Sequence, residues 1–256
     1  MKLISIVTIH LADFEGLAKT MRSIEQHLDS SALEWVLVDG GSKSATAEEQ
    51  KILEEGLGKS SVYVSEPDQG IYDAMNKGTR MASGDYVIYL NAGDELHENF
   101  SLEHISGLTG VSAPGMIWGR CVERYLDGQE VELKTRSTAW TWYGMPAYHP
   151  AILFRRALLG PEPYNTHFQI AADYDLVSRL VKSGVTIQRI PMHISRFYHG
   201  GISDICHAET LREEHEIRTR HFPVPRLVSS LIKWLKTGLK TLSALAWFRR
   251  IWRRWV

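Results

Sequence analysis

The feature that most constrains this chain is a pattern repeated through residues 1–100: a short apolar run, a polar strand end, then an amphipathic stretch. Residues 4–9 are a continuous run rich in β-branched side chains, as in a strand buried on both faces. Leu17, Met21, Ile24 and Leu28 follow at helical spacing. Further apolar runs stand at 35–38, 62–64 and 86–90. Between them, 45–55 reads as a helix with Ser44 as N-cap and Glu48 and Glu49 in its early turns. Residues 71–82 read as a helix closed by Gly84. With right-handed crossovers, this βαβαβαβ order makes a parallel sheet with helices on both faces. Such sheets bind ligands at the carboxyl ends of their strands. Here those ends carry Thr8 and His10, Asp39, Glu66 and Asp68, and Asn91 and Asp94.

The second half changes character. Strands are expected at 116–125 and 129–135 around the hairpin signal Asp127-Gly128, and at 151–155 and 185–190. An aromatic stretch, Trp140, Trp142, Tyr143 and Tyr148, precedes the third of these, and 173–182 reads as an amphipathic helix. A length of 256 residues suits one catalytic-sized domain with an appendage. We expect a domain over 1–215, with a ligand half at 1–100 and an acceptor-side half at 101–215, and a tail over 216–256. Two distant cysteines, Cys121 and Cys206, exclude a disulfide scaffold and a Cys-based zinc finger. No run of 18 uncharged apolar residues exists, so no transmembrane helix is expected. Asp13 and Glu15 interrupt the apolar N-terminus and no small-residue cleavage site follows, so it reads as a strand rather than a signal peptide.

The formal net charge of −1 conceals an asymmetry. Residues 217–256 carry ten Lys or Arg and no Asp or Glu, whereas the first 216 carry 19 basic and 30 acidic residues. Such a segment points to an anionic partner. On a helical wheel, Arg226, Lys233, Lys236 and Lys240 share one face, and Leu227, Leu231, Trp234, Leu235, Leu242 and Leu245 cover the opposite one. Trp247, Trp252 and Trp255 follow among Arg249-Arg250 and Arg253-Arg254. This is the pattern of a helix lying in a membrane interface, so residues 226–256 are expected to meet an anionic membrane surface. The alternative is a helix docked on the domain's own core. Nucleic acid is not expected, because the aromatic residues lie on or beside the apolar face rather than along a groove.

Phosphate-binding motifs narrow the ligand chemistry. Residues 8–16 lack the G-x-G-x-x-G of a dinucleotide fold. Gly58-Lys59-Ser60 supplies only the end of a P-loop, and a strand follows it instead of a helix. Without a glycine loop, a diphosphate needs a divalent cation held by oxygen ligands, and Asp94 is placed for that role. From the residues alone, Asp39 and Asp94 read equally as turn residues.

At this point the motifs resemble a known family. Residues 4–9, Val38-Asp39-Gly40-Gly41-Ser42, the stretch Ser65-Glu66-Pro67-Asp68-Gln69-Gly70-Ile71-Tyr72-Asp73-Ala74-Met75-Asn76-Lys77-Gly78, Ser83-Gly84-Asp85-Tyr86 and Leu90-Asn91-Ala92-Gly93-Asp94 are similar to family 2 inverting glycosyltransferases of the GT-A fold. Within that family, the chain resembles bacterial exopolysaccharide transferases of the colanic-acid type, over roughly residues 1–200. The resemblance implies an α/β, Rossmann-like, mostly parallel sheet flanked by helices. It implies that Thr8, His10 and Asp39 bind the nucleotide of a nucleotide-sugar, that Asp68 lies in the segment closing over it, and that Asp73 and Lys77 follow on the next helix. Asn91, Ala92, Gly93 and Asp94 occupy the place of the family's Asp-x-Asp-Asp, which implies that Asn91, Ala92 and Gly93 meet the nucleotide-sugar, Asn91 at its ribose or sugar, and leaves Asp94 as ligand to a divalent metal, Mn²⁺ or Mg²⁺.

The family's catalytic base is the Asp of a Glu-Asp pair that opens a helix. Ala172-Asp173-Tyr174-Asp175 matches it with Ala for Glu, which implies Asp173 as base. By sequence alone Asp173 also reads as a plain N-cap, and Asp175 as a first-turn charge. His199-Gly200-Gly201-Ile202-Ser203 resembles the family's loop near the diphosphate, with His199 a further candidate metal ligand. Trp142 and its aromatic neighbours are candidates for stacking on sugars, and His149 for lining the acceptor pocket. Tail and resemblance together give a lipid-linked glycan acceptor and a peripheral location on the cytoplasmic face of the inner membrane. A sugar nucleotidyltransferase would need a Gly-rich basic loop that residues 8–16 lack. A non-catalytic scaffold that binds nucleotide-sugar draws support from Asn91, Gly93 and Ala172, where the family has acidic residues.

Overall fold

The computed structural model describes residues 2–44, 46–109, 113–125, 127–199 and 206–243. Strand β1 (Ile4–His10) lies between β2 (Leu33–Asp39) and β4 (Tyr86–Tyr89), with β3 (Val62–Ser65) beyond β2; all four run parallel. The register sets His10 beside Asp39 and Asp39 beside Ser65, which aligns the polar strand ends on one edge. The sheet continues through β8 (Ile152–Arg155), β6 (Met116–Arg124), β9 (Ile187–Tyr198) and β5 (Glu95–Leu96), and β7 (Glu130–Leu133) pairs with β6. This second half is mixed: β8 is antiparallel to β4 and β6, while β9 runs parallel to β6.

Alternation along β1 divides the core into two layers. Ile4 and Ile6 face α1 (Phe14–Leu28) through Leu17, Met21 and Ile24, on the side that α2 (Ala47–Lys59) and α4 (Leu102–Leu108) also cover. Val7 and Ile9 face α3 (Ile71–Met81) and α5 (Ala172–Lys182) through Tyr72, Met75, Leu176 and Val177. Two further helices follow, α6 (His207–His221) and α7 (Arg226–Ser243).

Several local expectations change. Helix α2 is capped by Thr46 and not by Ser44: Thr46 and Glu49 form a reciprocal capping box, and the Ser44 hydroxyl donates to Gln50. Gly84 does not close α3 in a left-handed turn. It is needed because a Cβ there would lie 2.7 Å from Ser5 N. The strand read over 185–190 extends to Tyr198 because pairing with β6, through register irregularities, carries it past Pro191. The expected boundary at 215/216 falls inside α6, where Ile217 and Arg218 are buried. The first part of the basic segment therefore packs on the domain, with Ser229 and Ile232 of α7 buried as well. The side chains of Lys240 and Leu242, and residues 244–256 with Leu245 and the last three tryptophans, lie outside the described residues. Among the described residues, no helix is long and apolar enough to cross a membrane.

Candidate active site

At the carboxyl edge of β2, Asp39 is fully buried. Its carboxylate accepts hydrogen bonds from Ser42 N (2.9 Å) and Ser65 Oγ (2.6 Å), and Tyr63 OH lies at 3.4 Å. Burial pushes this carboxyl up, but the Ser42 and Ser65 bonds, with His10 nearby, outweigh it and hold it below the usual carboxylate range. His10 Nε2 lies 3.3 Å from Ser42 Oγ and 3.9 Å from Asp39. Burial lowers the His10 pKa against the pull of Asp39, and its Nδ1 is buried without a partner among the described residues. Ala12 follows in the left-handed region (φ 53°), a strained position for a residue with a side chain, and its N–H donates to Ser42 Oγ.

The β3–α3 loop folds onto this edge. Asp68 Oδ1 accepts from Gly70 N at 3.0 Å, and Asp68 lies over Gly40, where a Cβ would stand 2.5 Å from its Oδ2. Asp73 accepts from Gln69 N. Lys77 is largely buried and committed internally: Nζ donates to Pro67 O (2.8 Å) and lies 3.1 Å from Glu66 and 3.6 Å from Asp73. It clamps the loop, so the structure gives it a supporting place rather than a free cation at the cleft.

After β4, Asn91–Asp94 form a tight turn with Gly93 at φ 95°. Asp94 Oδ2 accepts from Asn91 N, and Thr20 of α1 donates to Asp94 O and accepts from Gly93 N. Burial pushes the Asp94 carboxyl up to about 7. Asn91 Oδ1 has no partner among the described residues. A carboxylate and a spare amide oxygen are donors that Mg²⁺ or Mn²⁺ accepts, with phosphate oxygens and water completing the shell. Among the described residues, no three His, Cys, Asp or Glu side chains gather into a metal cluster.

On the opposite side, Asp173 sits in the first turn of α5, whose N-cap is Ala171. Asp173 Oδ1 accepts from Tyr174 N (2.7 Å), and the Tyr72 hydroxyl of α3 lies at 3.4 Å. Burial lifts its carboxyl to about 6, against those two hydrogen bonds. Tyr72 belongs to the Glu66–Gly78 motif, so one side chain joins the two halves of the cleft. Two residues on, Asp175 is the first-turn acidic residue expected, buried and paired with Arg179 (2.9 Å) and His221 (2.7 Å) as a tie between α5 and α6.

The Glycosyl transferase family 2 model matches residues 5–172. The chain belongs to glycosyl transferase family 2. A "PGL/p-HBAD biosynthesis glycosyltransferase" of Mycobacterium bovis is 27% identical over 234 residues, spanning 85% of this chain and 86% of the relative. An uncharacterized glycosyltransferase of Mycobacterium tuberculosis is 29% identical, spanning 72% of each. Among solved structures, S. aureus TarS in complex with UDP superposes with a TM-score of 0.65 at 14% identity, over 91% of this chain and 70% of that one. The mannosyltransferase PcManGT of Pyrobaculum calidifontis, in complex with GDP-Man and Mn²⁺, gives 0.64 at 15% identity, over 95% and 74%. These likenesses establish the GT-A fold.

In this family 2 glycosyltransferase, the remaining candidates separate by environment. Thr8 is fully buried and its hydroxyl accepts from Trp35 Nε1, a core contact and not one at the cleft. His149 is half-buried in an aromatic cluster, stacked on Tyr89 with Nε2 2.7 Å from Tyr164 OH, and desolvation drops it to about 4. Trp142 is exposed and stacks on Trp140, forming a ledge open to solvent. His199 is exposed, 2.7 Å from Glu123 and stacked on Tyr125; residues 200–205 of its loop lie outside the described residues. Sequence reasoning missed Ser42, Ser65, Thr20 and Tyr72. Of these, Ser42, Ser65 and Tyr72 stood inside the quoted motifs without being given a role, and Thr20 stood outside them.

Proposed function

We propose that this glycosyltransferase moves a sugar, with inversion, from a UDP- or GDP-sugar onto a lipid-linked saccharide. We further propose that it does so at the cytoplasmic face of the inner membrane, in the making of a bacterial surface polysaccharide. The observation that carries the reading is the approach of Tyr72, from the donor-side motif, to Asp173 on the acceptor side. An acceptor hydroxyl attacks the anomeric carbon from the face opposite the diphosphate. Asp173 takes the hydroxyl proton as the new C–O bond forms, and the bond to the nucleoside diphosphate breaks. The lifted pKa of Asp173 suits a base working near neutral pH. Asp39, held ionised, suits a hydrogen bond to ribose or to a ring N–H of the nucleobase. Asp94 and Asn91 are the residues that would hold a divalent cation, which when bound supplies neutralisation of the diphosphate. The UDP and the GDP-Man with Mn²⁺ in the two structural relatives support this donor class.

The membrane part rests on α7. Leu227, Leu231, Trp234 and Leu235 are exposed along one face, Leu227 at 85% and Trp234 at 71%. Such a stripe on a charged helix suits interfacial insertion. Arg226 is also exposed, whereas Lys236 pairs with Glu214 and lies over the Tyr143 ring, so it is withdrawn from the basic rim the wheel gave it. The PGL/p-HBAD role of the mycobacterial relatives accords with a surface-glycan product. The test is a thermal-shift panel with UDP, GDP and CMP, each with and without Mn²⁺ or Mg²⁺. A shift with UDP or GDP that grows with the metal supports the donor and cation together. No shift with any nucleotide overturns the donor assignment, and a metal-independent shift removes Asp94 from its metal role.

A further inference from the structure

We infer that Glu213 of α6 is the positioning residue for Asp173, acting across the fold by holding the segment that leads into α5. The inference rests on Asp173 being the base. Ala171, the N-cap of α5, has no side chain to accept the orphan N–H groups that open a helix. Glu213 is 0% exposed and grips the chain immediately ahead of that turn, up to the N-cap's own N–H. Its Oε1 accepts from Gln169 N (2.7 Å), and its Oε2 accepts from Ile170 N (3.0 Å) and Ala171 N (2.8 Å). Among the described residues it has no salt-bridge partner, so these three charge-assisted bonds are what offset the burial of the carboxylate.

The same peptide is gripped from the other side. Tyr72 OH donates to Ile170 O at 2.5 Å and also lies 3.4 Å from Asp173 Oδ1. Residue 170 is thus held at its N–H by α6 and at its carbonyl by α3, three residues ahead of Asp173. The titratable groups facing Asp173 are Tyr72 and Tyr164 from the aromatic cluster and Glu214 from α6; Glu213 faces Tyr72. Removing Glu213 releases residues 169–171, so the first turn of α5 frays and Asp173 gains water. Gain of water lowers the Asp173 pKa.

The test is Glu213→Gln in the full chain, with Glu213→Asp and Ile217→Ala beside it. Ile217 is buried on the same helix, in the apolar cluster that holds Tyr72 and Ala171, but makes none of the hydrogen bonds to residues 169–171, so it reports loss of α6 packing without loss of that grip. Release of nucleoside diphosphate from UDP-GlcNAc or GDP-mannose is followed against pH. For Glu213→Gln, kcat is expected to fall roughly 10- to 100-fold, donor KM to stay within about twofold, and the acid limb of kcat to move to lower pH. Glu213→Asp should recover part of the loss, and Ile217→Ala should lower Tm without moving the limb. A folded Glu213→Gln enzyme with unchanged kcat and limb overturns the inference. So does a loss that Ile217→Ala reproduces. If Asp173→Asn keeps its turnover, the base assignment falls first, and the inference with it. Where wild type turns over neither donor, ¹³C titration of the Asp173 carboxyl decides: an unchanged pKa in Glu213→Gln overturns the inference.

Discussion

At the donor edge, Asp39 is ringed by donors from Ser42, Ser65 and Tyr63, whereas at the acceptor edge Asp173 has one backbone N–H and a long contact from Tyr72. Both carboxyls are desolvated. Hydrogen bonding wins over burial at Asp39 and keeps it charged; burial wins at Asp173 and lifts it to about 6. The difference suits two tasks. A group that grips a ligand gains from a fixed charge, while a group that takes a proton gains from a pKa near the working pH. Asp175 makes the same point within one helix. Two residues from Asp173, with Arg179 and His221 beside it, it is an ion-pair partner.

The comparison breaks or sharpens in four ways. The largest effect is expected from Asp173→Asn. It should lower kcat by about 10³-fold or more while nucleotide binding, read by calorimetry, survives. The same variant should be more stable at pH 8. The folded carboxyl holds its proton more tightly than the unfolded one, so ionising it costs stability as pH rises from about 4 through 6. Removing that cost is worth about 2 kcal/mol, or several degrees in Tm. Next, wild-type kcat should fall roughly tenfold per pH unit below about 6, with no matching fall in nucleotide affinity, since Asp39 stays ionised there. An acid limb that tracks nucleotide binding instead would place the titrating group at the donor edge.

Asp39→Asn should weaken nucleotide binding about tenfold and lower stability by about 1–3 kcal/mol, because Ser42 and Ser65 lose a charged acceptor. A wild-type nucleotide Kd in a folded Asp39→Asn protein would leave Asp39 a purely structural residue. The smallest effect is on the surface: Trp234→Glu with Leu231→Glu should lower partitioning onto vesicles of anionic lipid severalfold while leaving Tm within about 2 °C, since both side chains are already exposed. Unchanged flotation with the vesicles would remove α7 from membrane contact.

Much of this arrangement could be read from the chain itself. Continuous apolar runs gave three buried strands and the half-buried edge strand β3, and the polar residue ending each run lies on the expected edge. Asp94 and Asp173 stood in motifs, and both lie at element ends. The partners were not legible. Ser65 reaches Asp39 from 26 residues away, Tyr72 meets Asp173 across 101, and Glu213 reaches Ala171 across 42. Helix α6 went unread because its sequence is charged nearly all round, with Leu211 and Ile217 as its main apolar anchors. Lys77 was placed at the cleft by resemblance and His149 by residue type, yet Lys77 clamps a loop and His149 is tied into an aromatic cluster.

Local periodicity and chain order, properties of neighbouring residues, therefore determined the strands, their parallel order and the polar edge. Tertiary structure alone decided which carboxyl is charged and which is lifted, and which cation is spent on an internal partner. Those states depend on burial and on donors brought from distant elements, and neither is a property of a residue's neighbours in the chain.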